Sequence, residues 1–275
     1  MTKNDELRQR EESFHDAWAE QVDPSTVLVD ELNTACTMPE TRAIFKAIGD
    51  VKDKRILELG CGCGEASVYF AKHGADVTAT DLSSGMLNLV HRVAAHHGVV
   101  LKTYQCSANE TNLSEETFDI VYAANLLHHV DIEKTIREAH RLLKPGGVFA
   151  AWDPVAYNPL INIYRRMATS VRTSDEHPLR CRDIAIIRKY FPDCSVSGYW
   201  LCTLLIFVKF YILDRVDPNK ERYWKKIVNE HQLLRRYYYP LEFCDRILLT
   251  IFPFMKWICW NMVVIGRKTK SPIQR

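Results

Sequence analysis

Two acidic side chains and three alternate glycines are the residues of this 275-residue chain best placed to hold a ligand. In Arg55-Ile56-Leu57-Glu58-Leu59-Gly60-Cys61-Gly62-Cys63-Gly64 a short apolar run ends in glycine at every second position. Glycine there admits backbone angles that a Cβ would block, and lets a bulky ligand lie against the main chain. An amphipathic segment, Ala66 to His73, follows at once, so the stretch reads as strand, tight turn and helix. The start of that helix offers free N–H groups to an anionic ligand group. About twenty residues past the glycines, the β-branched run Val77-Thr78-Ala79-Thr80 ends in Asp81. A carboxylate at that distance is placed to accept from ribose hydroxyls. The order E-x-G-x-G-x-G differs from the G-x-G-x-x-G of a dinucleotide site. On the glycine turn alone, an NAD-type domain and a plain structural turn both stay open.

A second group of candidates is basic. His128 and His129 lie side by side in Leu127-His128-His129-Val130, and His129 is four residues after Asn125. If the segment is helical, Asn125 and His129 face one way. An imidazole with an ordinary pKa of about 6.5 suits proton abstraction at neutral pH. The alternative is a pair of histidines that cap or pack beside a sheet. His177, with Glu176 in the polar loop from Arg172 to Pro178, is a further candidate base.

These residues need a scaffold, and the pattern supplies one. Strands are predicted at Arg55–Leu59, Asp76–Thr80, Leu101–Gln105, Phe118–Ala123 and Val148–Trp152, alternating with helical stretches. Such alternation implies an α/β fold with a parallel sheet covered on both faces. Ligands bind outside the carboxyl ends of such strands. Gly60, Asp81, Cys106 to Asn109, Asn125 and Asp153 all fall at those ends. Residues 1–48 are expected to form a helical lid, with His15 and Trp18 on one face beside Phe14. Residues 49–153 form the core, and 154–240 a largely helical, aromatic insertion that caps the site. Residues 241–275 complete the core and end in a basic tail, with Trp257–Ile265 as a last strand or a continued helix.

Composition narrows the class. The net charge of +2 makes no case for nucleic acid as a partner. Nine scattered cysteines form no C-x-x-C pair, which argues against zinc or a disulfide framework and fits reduced thiols in the cytoplasm. No metal is expected. The polar first dozen residues lack the apolar core of a signal peptide. The apolar stretches Tyr199–Leu213 and Ile247–Ile265 are short or interrupted by Lys209, Pro253 and Lys256, so neither is expected to span a membrane.

Several of these segments together resemble the class I S-adenosylmethionine (SAM) methyltransferases of the ubiquinone/menaquinone-biosynthesis type. Ile56–Gly64 resembles their first motif. Asp81-Leu82-Ser83-Ser84-Gly85-Met86-Leu87, Phe118-Asp119-Ile120-Val121, Leu127-His128-His129-Val130 and Leu142-Leu143-Lys144-Pro145-Gly146-Gly147 are similar to later ones. The resemblance covers about residues 50 to 153. It implies a Rossmann-like, mostly parallel seven-stranded sheet and SAM as cofactor, with S-adenosylhomocysteine as product. It further implies that Glu58, Gly60, Cys61 and Gly62 hold the amino-acid end, and that Asp81 accepts the ribose hydroxyls. Leu82 and Met86 would pack on the adenine, and Asn125 would face the methionine moiety. Where the family often has G-D-A-E, this chain has Cys106-Ser107-Ala108-Asn109, so Ser107, Ala108 and Asn109 are expected to meet the adenine instead. The aromatic insertion points to a small, hydrophobic acceptor such as a quinone, polyketide, sterol or lipid. Its basic helices suggest peripheral membrane contact. A non-catalytic ligand-binding protein of the same fold, or methylation of a protein or polar metabolite, is the rival reading.

Overall fold

The structure is a computed structural model that describes residues 12, 13, 15–167 and 177–269. Seven strands form one sheet in the order β3-β2-β1-β4-β5-β7-β6. They are β1 (Arg55–Leu59), β2 (Asp76–Asp81), β3 (Lys102–Gln105), β4 (Phe118–Ala124), β5 (Leu143–Pro154), β6 (Ser195–Tyr199) and β7 (Asn261–Arg267). The first five run parallel, with Leu57 opposite Thr78 on one side and Val121 on the other. Strand β7 runs antiparallel to both β5 and β6. The seven-stranded, mostly parallel α/β fold expected from the sequence is what the chain adopts.

Alternation along each strand builds two cores. Ile56, Val77, Ile120, Tyr122, Val148 and Trp152 face one layer. Leu57, Leu59, Val121, Ala123, Phe149 and Ala151 face the other. Period-2 exposure of both faces to apolar neighbours is what a sheet covered on both sides requires. The first layer contains α1 (residues 15–21), α2 (Val29–Thr34), α3 (Pro39–Ile48), α4 (Glu65–Lys72), α5 (Ser84–His96) and α7 (Pro159–Met167). The second contains α6 (Ile132–Leu142) and α8 (Cys181–Tyr190). Helix α5 starts on a Ser83 cap, whose hydroxyl accepts from the Met86 N–H at 3.0 Å.

The stretch expected to be a largely helical cap also feeds the sheet. Ser195–Tyr199 is strand β6, with the sequence SVSGY. It is a five-residue edge strand with one strongly apolar aliphatic, too short and polar for its periodicity to stand out. Of the two alternatives for Trp257–Ile265, the strand is the one that forms, over Asn261–Arg267. Between β6 and β7 the chain makes a long excursion through α9 (Leu205–Ile212), α10 (Tyr223–Asn229) and α11 (His231–Ile251). The excursion closes where it opened: the Trp260 N–H lies 3.1 Å from the Tyr199 carbonyl and 3.0 Å from that of Trp200.

One carboxylate fastens this excursion. Asp245 of α11 is buried and accepts from the N–H groups of Leu201 at 3.2 Å, Cys202 at 2.5 Å and Thr203 at 3.4 Å, and from the Thr203 hydroxyl at 2.7 Å. Asp245→Ala strands those donors, at a cost of about 2–3 kcal/mol. Denaturant titration checks this, and a midpoint unchanged from the parent chain contradicts it.

Candidate functional site

At the carboxyl ends of the parallel strands lies a cavity of about 1860 Å³. Strand β1 ends in the glycine turn. Gly60, Gly62 and Gly64 all have positive φ, at 66°, 50° and 85°, which explains glycine at each. The three differ in surroundings. A Cβ on Gly60 would meet Leu126 Cδ1 at 2.6 Å, whereas one on Gly62 would meet nothing within 4 Å. Gly60 is therefore fixed by packing as well as by conformation. Gly62 opens into the cavity.

Asp81 closes this turn from the side. One carboxylate oxygen accepts from the Gly62 N–H at 3.0 Å and the other from the Ser83 N–H at 3.0 Å. Burial pushes its carboxyl pKa up, against the pull of those two donors. Glu58 is buried under the turn, where Ser67 donates its hydroxyl to the carboxylate. Burial pushes the Glu58 carboxyl up to about 8, so a cationic ligand group there would restore its charge.

Cys61, Leu82, Ser107, Ala108, Asn109 and Asn125 also line the cavity. The Asn109 side-chain oxygen is engaged within the protein, accepting from the Thr135 hydroxyl at 2.8 Å. Asn125 sits at φ 52°, so the chain turns sharply out of β4. Met86 is not among the residues lining the cavity; it is fully buried on the core face of α5.

The three histidines expected from the sequence converge here. The segment after β4 is a 3-10 turn, Leu127–His129, and not the α-helix that would have set Asn125 and His129 on one face. His128, His129 and His177 all line the cavity, the first two with ring centroids 4.0 Å apart. The His177 N–H donates to the His128 carbonyl at 2.8 Å. Glu176 and Phe14 lie outside the described residues.

Asp153 organises this corner. Its side chain is fully buried and lies 2.6 Å from His128 Nδ1. It also accepts from the N–H groups of Leu127 at 3.1 Å and His128 at 3.2 Å. With Nδ1 donating to Asp153, Nε2 is the basic nitrogen of His128. Burial pushes the His128 pKa down and the adjoining His129 ring adds to this, against Asp153, so the ring is neutral at neutral pH.

The rest of the wall comes from distant parts of the chain. Helix α1 (residues 15–21) lies across the mouth, with His15 and Trp18 on the cavity wall. Asp16 holds it there, accepting from the Ser83 hydroxyl at 2.5 Å and the Gly85 N–H at 2.8 Å. Trp18 in turn stacks under Arg222 of the excursion, 4.7 Å from its ring centroid. Trp200, Trp260, Tyr122, Trp152 and Tyr164 make the inner chamber aromatic. Glu40, at the first turn of α3, is fully buried on the same wall. Glu40, Asp153 as a histidine partner, Trp152 and Trp260 are absent from the sequence-derived set, whereas Trp200 belongs to the aromatic stretch expected to line a pocket. Asp153 had a signal in its place at a strand end. Glu40 had none, since an acid in a helix's first turn is ordinary.

Residues 57–151 match the model of a methyltransferase domain. The chain carries a class I, SAM-dependent methyltransferase domain. The ubiquinone biosynthesis O-methyltransferase of Coxiella burnetii is 36% identical over 99 residues, which are 35% of this chain and 42% of that protein. The corresponding enzyme of Pseudomonas aeruginosa is 37% identical over 98 residues, or 34% and 41%. The chain thus spans less than half the length of these curated relatives. Among solved structures, phosphoethanolamine N-methyltransferase 2 of Haemonchus contortus with SAM superposes with a TM-score of 0.56 at 19% identity, covering 94% of this chain and 56% of that one. A [4+2]-cyclase superposes with a TM-score of 0.53 at 15% identity, covering 85% and 83%. These two establish a shared fold alone.

The methyltransferase domain's cradle fits its cofactor: an open Gly62 for close approach, a side-wall carboxylate at Asp81, and a buried acid at Glu58. Asp81→Ala should weaken S-adenosylhomocysteine binding by about 2–3 kcal/mol, through lost charge-assisted hydrogen bonds. Gly62→Val should abolish binding and cost some stability through its positive φ, but leave a folded chain, because its Cβ meets open space and not the core. Calorimetry and a thermal melt on each variant check both. Parental affinity in either variant contradicts the assignment.

Proposed function

We propose that this protein moves the methyl group of SAM to a small molecule with a large apolar body. The observation that carries this is one continuous cavity, joining the Gly62–Asp81 cradle to an aromatic chamber, with the His128–Asp153 pair on its wall. Bound SAM supplies an electrophilic methyl group on a sulfonium sulfur. The chain's own residues align, shield and deprotonate. Asp81 accepts from the ribose hydroxyls and Glu58 meets the charged amino-acid end beside Gly60, Cys61 and Gly62. Leu82 and the Ser107–Asn109 segment border the adenine, and Asn125 faces the methionine moiety. Helix α1 and the excursion exclude water, which strengthens every charge interaction inside.

His128 is the base this reading favours for an acceptor that must lose a proton. Asp153 fixes its tautomer and orientation, as an orienting carboxylate does for a catalytic imidazole. His129 and His177, on the same wall, are the alternatives. His128→Ala should lower kcat by about 100-fold or more with cofactor affinity unchanged. A base whose pKa is lowered by burial keeps its active, neutral form as pH falls. The rate should therefore hold through pH 6.5 and fail only nearer the value of about 4 that burial imposes. A limb well above that value would take the proton transfer away from His128.

Peripheral contact with an anionic membrane belongs to the same reading. Among the described residues no helix is long and apolar enough to cross a bilayer. Yet of the 18 large apolar residues exposed among those described, 13 fall from Leu205 to Ile258, on α9, α11 and the turn after it. On α11 the outward stripe is Leu233, Tyr237, Phe243, Ile247 and Ile251, continued by Phe252 and Phe254. Arg235, Arg236 and Arg246 are exposed beside it, and the acids of the helix are engaged elsewhere, Glu242 with Arg42 and Asp245 with the backbone. An apolar stripe with a cationic rim is the composition of an interfacial helix. The chain should sediment with phosphatidylglycerol vesicles at low salt and be released by high salt. Phe243→Glu with Ile247→Glu should abolish sedimentation. Retention by that double variant, or a dimer in solution that buries the stripe, would refute the membrane role.

A further inference from the structure

The deepest corner of the aromatic chamber carries acceptors in excess of donors. Glu40 of α3 and Asn261 of β7 meet there, and both are buried. Asn261 Nδ2 donates to Glu40 Oε1 at 2.6 Å. Beyond that bond, Glu40 Oε2 and Asn261 Oδ1 are both buried without a well-formed hydrogen bond. Two such oxygens, brought together from separate elements and lining one cavity, are costly unless a ligand supplies donors. Arg42, two residues on, steadies the Glu40 carboxylate through space but gives neither oxygen a hydrogen bond. Its guanidinium is spent on Glu242 at 2.5 Å and on the carbonyls of Ala35 and Cys36.

The walls of the corner select what kind of donor fits. Trp200 adds a weak hydrogen bond to the Glu40 carboxylate, too poorly formed to satisfy it, and its ring lies 5.7 Å from that of Trp260. Tyr122 feels the charge of both Glu40 and Glu58. Aromatic faces around a buried carboxylate attract a cation that carries little water. A neutral hydroxyl offers one donor and no charge, and leaves one oxygen orphaned. An ammonium offers three donors and a full positive charge.

We propose that the Glu40–Asn261 corner binds a protonated amine borne by the acceptor, so that the substrate is an amine with an apolar body. Naming the ligand an acceptor rests on the methyltransferase reading; the amine site itself does not. Burial pushes the Glu40 carboxyl up to about 7, with Asn261 and Trp200 opposing, so an arriving ammonium supplies the counter-charge that favours its ionised form.

The test uses octylamine and octanol, matched in their apolar body, each titrated by calorimetry at pH 8 into the full chain saturated with S-adenosylhomocysteine. The amine should bind at least tenfold more tightly than the alcohol. Glu40→Gln should erase that preference and leave S-adenosylhomocysteine affinity unchanged, and Glu40→Asp should fall between. Equal affinities in the parent chain overturn the proposal, and that comparison needs no variant to fold. A preference that survives Glu40→Gln overturns it too, and a parallel loss of S-adenosylhomocysteine affinity would hand the carboxylate to the cofactor's own ammonium. If the parent chain fails to bind S-adenosylhomocysteine, the methyltransferase reading fails instead, and the two alkyl probes alone decide the amine site.

Discussion

Everything in this molecule depends on the reversal of strand order beside β1. From β1 the chain builds outward to β2 and β3, then crosses back to lay β4 on the other side of β1. The connections after β1 and β4 leave in opposite directions, and a crevice opens between them. The glycine turn and Asn125 are the two lips of that crevice. Both lips need positive φ, because each must turn away at once from a strand that is buried on both faces. The cavity follows from the topology, and the side chains decide what enters it.

The parts of the site legible in the sequence are those whose partners are local. Gly60 to Gly64 announce their turn by type and spacing, and Asp81 announces itself by closing a β-branched run. The two-faced sheet was equally legible, since five strands alternate with helices over about a hundred residues. Strand β6 was not legible: SVSGY has no pattern until β7 lies beside it. Glu40 was not, because its importance comes from Asn261, 221 residues away. Asp153 was visible at a strand end, but its pairing with His128 depends on a 3-10 turn where a helix was the natural expectation. Contacts of long sequence separation leave no periodic trace.

Buried acids dominate the interior of the site. Glu58 and Glu40 are held up near 8 and 7 by lost hydration, and His128 is held down by the same cause. In each case burial favours the neutral form; the two acids serve a cationic ligand when charged, whereas the imidazole takes a proton only when neutral. The two acids are therefore most stable uncharged and most useful charged. A cationic cofactor or substrate shifts that balance by supplying the missing counter-charge. Binding and protonation are thereby coupled in the same small volume.

The excursion between β6 and β7 leaves the sheet at Trp200 and returns at Trp260, and the two ends are hydrogen-bonded to one another. A segment that departs and rejoins at a single point imposes no length on the sheet beneath it. Such a segment can be lengthened, shortened or exchanged over generations while the seven strands keep their register. The same arrangement accounts for where kinship is detectable: residues 57–151 match the domain model, while the excursion that roofs the cavity lies wholly outside that span. The floor of the cavity thus lies within the matched span, and its roof outside it.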